Sequence, residues 1–195
     1  MQPLYSYSAC HKPLMQSETV KKTKSGSKKP ENLIKRKVNI MTTLLSEKYE
    51  ALKSFLVEQN EATYNDFTEN VDAVYNDSWD TFELFGNEYK VLTDEEADKA
   101  AEESIEESLW AFNAEFILEH SKIKVVGREY DEIVKAFRKM QETLCESANA
   151  LVKALVTDID NFVQDAVETD GRGHFISSWD GEEHESENFY IYRTN

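Results

Sequence analysis

Thr81-Phe82-Glu83-Leu84-Phe85-Gly86-Asn87-Glu88-Tyr89-Lys90-Val91-Leu92-Thr93-Asp94-Glu95-Glu96-Ala97 contains the change of period that decides the fold class. Two aromatic-rich runs, Thr81–Phe85 and Glu88–Leu92, flank Gly86-Asn87. That is the composition of a β-hairpin whose two-residue turn needs positive φ, which glycine supplies. From Thr93 the signal turns helical. Thr93 has the character of an N-cap, and Asp94, Glu95 and Glu96 fill a first turn where the helix dipole favours negative charge. Thr93 and Glu96 also stand at capping-box spacing. A hairpin feeding a capped helix predicts an α+β fold, mostly α.

Downstream, Ala97, Ala101, Ile105, Leu109, Phe112 and Phe116 extend the helical face to about His120, with Asn113 as a candidate break. After Gly127, apolar residues recur from Tyr130 through Ile133, Phe137, Met140, Leu144, Ala148, Leu151, Leu155, Ile159 and Phe162 to Ala166. The mean step is 3.6 residues, with neither Gly nor Pro between. One straight helix over about 128–168, or two re-capped near Thr157-Asp158, both satisfy that pattern. Asp170-Gly171-Arg172-Gly173 reads as a helix stop. His174–Trp179 and Phe189–Arg193 read as a second hairpin around an acidic loop. Upstream, Leu45, Tyr49, Leu52, Leu56, Tyr64, Phe67, Val71 and Val74 predict one helix from Leu44 to about Tyr75, or two parted near Asn60, ended by Asn76-Asp77-Ser78. The architecture expected is three to four long helices with a small antiparallel sheet built from two β-hairpins.

Charge divides the chain at Met41. The first forty residues carry nine Lys/Arg and two Glu, net +7; residues 41–195 carry 13 basic and 36 acidic residues, net −23. The basic leader, with Lys21-Lys22-Thr23-Lys24-Ser25-Gly26-Ser27-Lys28-Lys29-Pro30, has too few apolar residues to offset the entropy of ordering and is expected to be disordered. It supports three readings: an arm that touches nucleic acid, a segment that folds back on the acidic part, or a stretch that is not translated. The last predicts Met41 as the physiological start, because Lys35-Arg36-Lys37 corresponds to purine-rich codons just upstream of an internal Met. Residues 41–195 form the expected single acidic domain, rich enough in aromatics to hold a core. No apolar run approaches the roughly 18 residues of a membrane span, and the N-terminus lacks the apolar stretch of a secretory signal. Cys10 and Cys145 make no spaced framework, which predicts a reduced, cytoplasmic protein with neither a structural disulfide nor a zinc site.

Chemistry-bearing motifs are sparse. His174, Asp180 and His184, amid Glu182, Glu183, Glu185 and Glu187, offer imidazoles and carboxylates for a divalent metal, at a spacing that matches no metal motif. Solvated turn residues explain the same composition. Ser177 and Ser178 lie near His174 without a nucleophile elbow, and Glu142 and Glu146 beside Cys145 disfavour a thiolate. No catalytic residue is assigned and no cofactor is expected. The acidic faces say more. Asp94 to Glu107 holds eight acidic residues against Lys99 alone, and Glu102/Glu106 and Glu103/Glu107 are like-charge pairs at i,i+4, each costing roughly 0.2–0.5 kcal/mol. A net charge of magnitude about 2–8 suffices for solubility. Asp94, Glu95, Glu102, Glu103, Glu106 and Glu107 are therefore the expected partner-binding face, suited to a basic surface.

Three segments together resemble uncharacterised small acidic proteins of tailed bacteriophages and related mobile elements. They are Glu88–Asp98, Ser108-Leu109-Trp110-Ala111-Phe112-Asn113, and Gly171–Glu183 followed by Phe189–Asn195. The resemblance spans roughly Tyr75 to Asn195, leaves the leader unmatched and carries no assigned activity or site residue. It implies an accessory protein made in an infected bacterial cell. The expected function is thus a non-enzymatic module that binds a basic host or phage protein, with mimicry of DNA against a defence or DNA-processing enzyme as its sharpest form. The alternatives are a metal-dependent hydrolase using the C-terminal His/Asp/Glu hairpin and a self-associating helical protein.

Overall fold

Helix α1 (Glu31–Glu58) contains neither Gly nor Pro over its 28 residues. It begins ten residues before Met41 and crosses that position without a break, so residues 31–40, expected in the disordered leader, are helical backbone. The computed structural model describes residues 31–67, 74–76, 80–124 and 126–195. The remainder of the leader, Val71, and the turn expected at Asp77-Ser78 lie outside the described residues.

Past Gln59 the predicted second half of the first helix is replaced by a short 3-10 helix (Tyr64–Phe67) and strand β1 (Val74–Asn76). Apolar residues spaced three or four apart over so short a run do not separate helix from strand. β2 (Thr81–Leu84) and β3 (Asn87–Leu92) form the predicted hairpin, shifted by one residue: Leu84 faces Asn87, leaving Phe85-Gly86 as the turn. Both turn residues have positive φ, 53° and 79°, the requirement of a type I′ turn. Phe85 tolerates this unusual conformation with its ring edge-on to Phe67, centroids 5.6 Å apart.

Thr93 caps α2 (Asp94–Glu107) through the full capping box: Glu96 N–H donates to Thr93 Oγ1 (3.3 Å) and Thr93 N–H donates to Glu96 Oε2 (2.8 Å). The helix ends thirteen residues short of His120. A 3-10 turn (Leu109–Ala111) and α3 (Ala114–Glu119) continue the same apolar face. Side chains from elsewhere satisfy the break. Asn149 donates to Glu106 O (2.8 Å) and accepts from Trp110 N–H (3.0 Å), while Gln141 donates to Trp110 O and Phe112 O, both at 2.7 Å.

The long periodic stretch is three helices: α4 (Arg128–Leu144), α5 (Asn149–Leu155) and α6 (Ile159–Asp170). Cys145, at φ 47°, ends the first; the re-capping expected near Thr157-Asp158 is present, with Asp158 accepting from Asn161 N–H (3.2 Å). Cys145 is disulfide-bonded, not reduced as expected, and the chain's other cysteine, Cys10, lies outside the described residues.

Gly171 stops α6, and the residues expected as a strand from His174 begin instead in α7 (Arg172–Ile176). The second hairpin is β4 (His184–Ser186) with β5 (Phe189–Arg193). β5 also pairs with β3, Val91 opposite Ile191, which joins both hairpins into one antiparallel sheet of order β1-β2-β3-β5-β4.

Strand alternation distributes the two faces of that sheet. Tyr89, Val91, Phe189 and Ile191 pack against Leu52, Phe55 and Leu56 of α1. Leu92 and Tyr192 face Ala97 and Ala101 of α2 and Ile176 of α7. A third cluster, centred on Phe112, Phe116, Phe137 and Phe162, holds α3 to α6 together. The fold is mixed helix and sheet as predicted, with shorter and more numerous helices.

Thr93→Ala removes one acceptor of the capping box and lowers stability by about 1 kcal/mol. Urea denaturation checks this, since an unchanged midpoint and slope would show that the cap contributes nothing.

Candidate functional site

The six carboxylates predicted as a partner-binding face all lie on α2, but their surroundings divide them. Arg172, at the start of α7, reaches back to Asp94 and Asp98, at 2.8 Å each. Lys153 of α5 pairs with Glu106, and Lys99 with Glu103 at 3.2 Å. Lys99 is thus not alone in offsetting the face, because two cations distant in sequence fold onto it. Glu95, Glu102 and Glu107 are exposed, and among the described residues no Lys, Arg or His lies within ion-pair distance of them.

The anchoring of α2 is electrostatic as well as apolar. Lys48 of α1, 3% exposed, pairs with Glu96 at 2.7 Å. Glu96 therefore serves as capping-box acceptor and as counterion to a buried ammonium. Burial opposes its charge, but hydrogen bonds from Lys48 and from the Thr93 backbone hold its carboxyl below the ordinary value.

Arg172 is the densest node. Its Nε and Nη2 donate to the two oxygens of Glu183 (2.9 and 3.0 Å), and its guanidinium lies 4.4 Å from the centroid of Tyr190. Burial disfavours the cation, yet Glu183, Asp94 and Asp98 more than offset this and hold its pKa well above that of a free arginine. Tyr192 donates to the same Glu183; burial first, then that carboxylate, pushes the phenol above its ordinary value. Gly173 makes the approach possible, since a Cβ there would meet Gly181 O and the Glu182 carbonyl carbon at 2.6 Å.

Of the three proposed metal residues, Asp180 and His184 come together and His174 does not join them. His174 lies on α7 with its ring edge-on to Phe175, centroids 5.1 Å apart. Asp180 accepts from Ser177 Oγ (2.7 Å) and Glu182 N–H (3.0 Å), and its second oxygen is 3.7 Å from His184 Nε2. Burial raises the Asp180 pKa, but these hydrogen bonds and the nearby imidazole outweigh it and leave the carboxyl below its ordinary value. The His184 ring rests on Phe55, beside a hollow of about 220 Å³ that Glu61, Tyr89 and Trp179 also line. Among the described residues no group of three or more His, Cys, Asp or Glu side chains converges in a way that could hold a metal ion.

A larger groove of about 370 Å³ lies between α2 and α6. Asp98 and Glu102 line it from α2; Asp160, Val163, Gln164, Val167 and Glu168 line it from α6. The apolar stripe legible in this stretch is Ile159, Phe162 and Ala166, which face the core; the α6 residues that line the groove stand outside it, and nothing in the sequence sets them beside Asp98. Arg172 was equally hidden, as one residue of a glycine-rich helix stop.

Comparison with known proteins found no matching family model, no matching curated protein and no matching solved structure. Among the described residues, no helix is long and apolar enough to cross a membrane.

Replacing Arg172 with Met strands the Glu183 carboxylate in partly buried surroundings and is expected to cost about 3–5 kcal/mol. Arg172→Lys recovers only part of this, because an ammonium cannot make the forked contact; thermal melts of the three proteins give the order. A second expectation concerns alkaline pH. Tyr192 keeps its proton in the folded chain after the unfolded chain has lost it, so its contribution is complete below about pH 10 and declines as pH rises from there. Urea midpoints should fall above that pH, less steeply in Tyr192→Phe, and equal slopes for the two proteins would refute the assignment.

Proposed function

We propose that the chain is a non-enzymatic, acidic protein-binding module that engages a basic surface of a host or phage protein through the outer face of α2. The observation that carries this reading is the trio Glu95, Glu102 and Glu107, exposed and without an intramolecular cation among the described residues, on a helix fixed at both flanks by ion pairs. Carboxylates left without a cation on a rigid helix give its outer face a negative potential. They also steer and orient a positive partner, chiefly by raising the association rate.

The phage resemblance sets the context: an accessory protein acting in the cytoplasm of an infected bacterial cell. The sharpest form of the proposal is mimicry of nucleic acid, in which the partner's basic surface is one that ordinarily holds DNA phosphates.

The test is capture from host lysate by the full chain, against the variant Glu95→Lys/Glu102→Lys/Glu107→Lys, at low and high salt. The wild-type chain should retain a basic protein at low salt and release it at high salt, with at least about a tenfold loss in the variant. Duplex DNA should compete if the captured surface is a nucleic-acid site. Equal capture by both proteins would remove the α2 face from the function.

A further inference from the structure

We infer that the groove between α2 and α6 seats a basic amphipathic helix of the partner protein, a refinement that rests on the acidic-module reading above. α6 presents two rows side by side, Asp160–Gln164–Glu168 and Val163–Val167, each with its residues about one helical turn apart, and α2 presents Asp98 and Glu102 at the same i,i+4 spacing. The two valines form an apolar floor, and polar or acidic side chains stand on both sides of it. Glu102, Asp160 and Glu168 have no ion-pair partner among the described residues, whereas Asp98 is held by Arg172 at 2.8 Å. Gln164 donates to Glu168 at 2.8 Å, which fixes the outer wall.

The pattern of the walls selects the occupant. From Asp160 to Glu168 the lining runs about 12 Å, two turns of helix at 1.5 Å per residue. An apolar stripe flanked on both sides by Lys or Arg fills such a channel, and that is the surface of a basic amphipathic helix. A strand sends alternate side chains to opposite faces and cannot place cations on both flanks of one apolar row. A purely cationic segment satisfies the walls but leaves the valine floor wet. The chain's own Lys21–Lys29 run is of that second kind, with five Lys and no apolar side chain.

The test titrates the full chain with three synthetic peptides of equal charge: a Leu/Lys helix of about 15 residues with leucines at i,i+3 and i,i+4 spacing, its scrambled isomer, and a shorter oligolysine with the same number of lysines. The patterned peptide should bind at least about tenfold tighter than either control, and the Val163 and Val167 methyl signals should shift on binding. Val163→Ser/Val167→Ser should erase the preference while leaving oligolysine binding unchanged. Because that variant touches the core, Gln164→Lys on the exposed wall serves as a second and should weaken all three peptides.

Equal affinity for the three peptides, lost in the Glu95/Glu102/Glu107 charge reversal, would overturn the groove while leaving the acidic-module reading intact. Peptide-dependent shifts confined to the outer face of α2 would do the same. Failure of the patterned peptide to bind would sink the groove, with lysate capture deciding the broader reading separately. Concentration-dependent self-association that the patterned peptide reverses would assign the groove to a second copy of the chain and likewise overturn the inference.

Discussion

The fork between Arg172 and Glu183 is the interaction on which the arrangement of layers depends. A guanidinium this enclosed is tolerated only when its donors are satisfied, and here Glu183, Asp94 and Asp98 satisfy them. The consequence is geometric as much as energetic. Glu183 lies in the segment leading to β4, Asp94 and Asp98 on the first turns of α2, and Tyr190 and Tyr192 on β5. One side chain thus ties the second hairpin, the capped helix and the sheet centre to a common point. The absence of a side chain on Gly173 lets the 181–183 segment come close enough for this to happen. Lys48 and Glu96 repeat the device on the other side of α2, against α1.

These contacts change how the acidic character is understood. Asp94, Asp98, Glu96 and Glu183 are structural anions, spent on internal cations. Glu95, Glu102 and Glu107 are not, and neither are Asp160 and Glu168 across the groove. A count of charges treats all of them alike. The fold sorts them into those that hold α2 in place and those that α2 displays, and the display is rigid because the anchors are strong.

Local signals in the sequence were reliable wherever they were self-contained. Thr93 and Glu96 read as a capping box because both partners lie within four residues. The β2–β3 hairpin was legible from its turn composition, although Phe85 rather than Asn87 shares the turn with Gly86. Signals that rest on period alone were weaker. The 3.6-residue rhythm from Tyr130 to Ala166 passed through Cys145 and Val156 because breaks that keep one face toward the core leave the rhythm intact. His174 to Ile176 reads as strand in the sequence but is helical, since a few apolar residues fit either element. Of the candidate site, the exposed acids of α2 are readable in the sequence, Glu102 of the groove among them. The valine floor on α6 and the cations that neutralise Asp94 and Glu106 were not, because no spacing in the chain announces a contact made 47 or 78 residues away.

The pairing of β3 with β5 has a consequence for how the molecule forms. Val91 and Ile191 are partners across a separation of 100 residues, with α2 to α7 strung between them. During synthesis the β2–β3 hairpin is complete long before β5 exists, and the inner edge of β3 stays an open ladder of amide and carbonyl groups. The entropy of closing so long a loop falls due before that pairing yields any return. Sheet assembly is therefore a late event, set by how quickly the intervening helices collapse and bring the two strands within reach, and β3 is the segment most open to mispairing until they do.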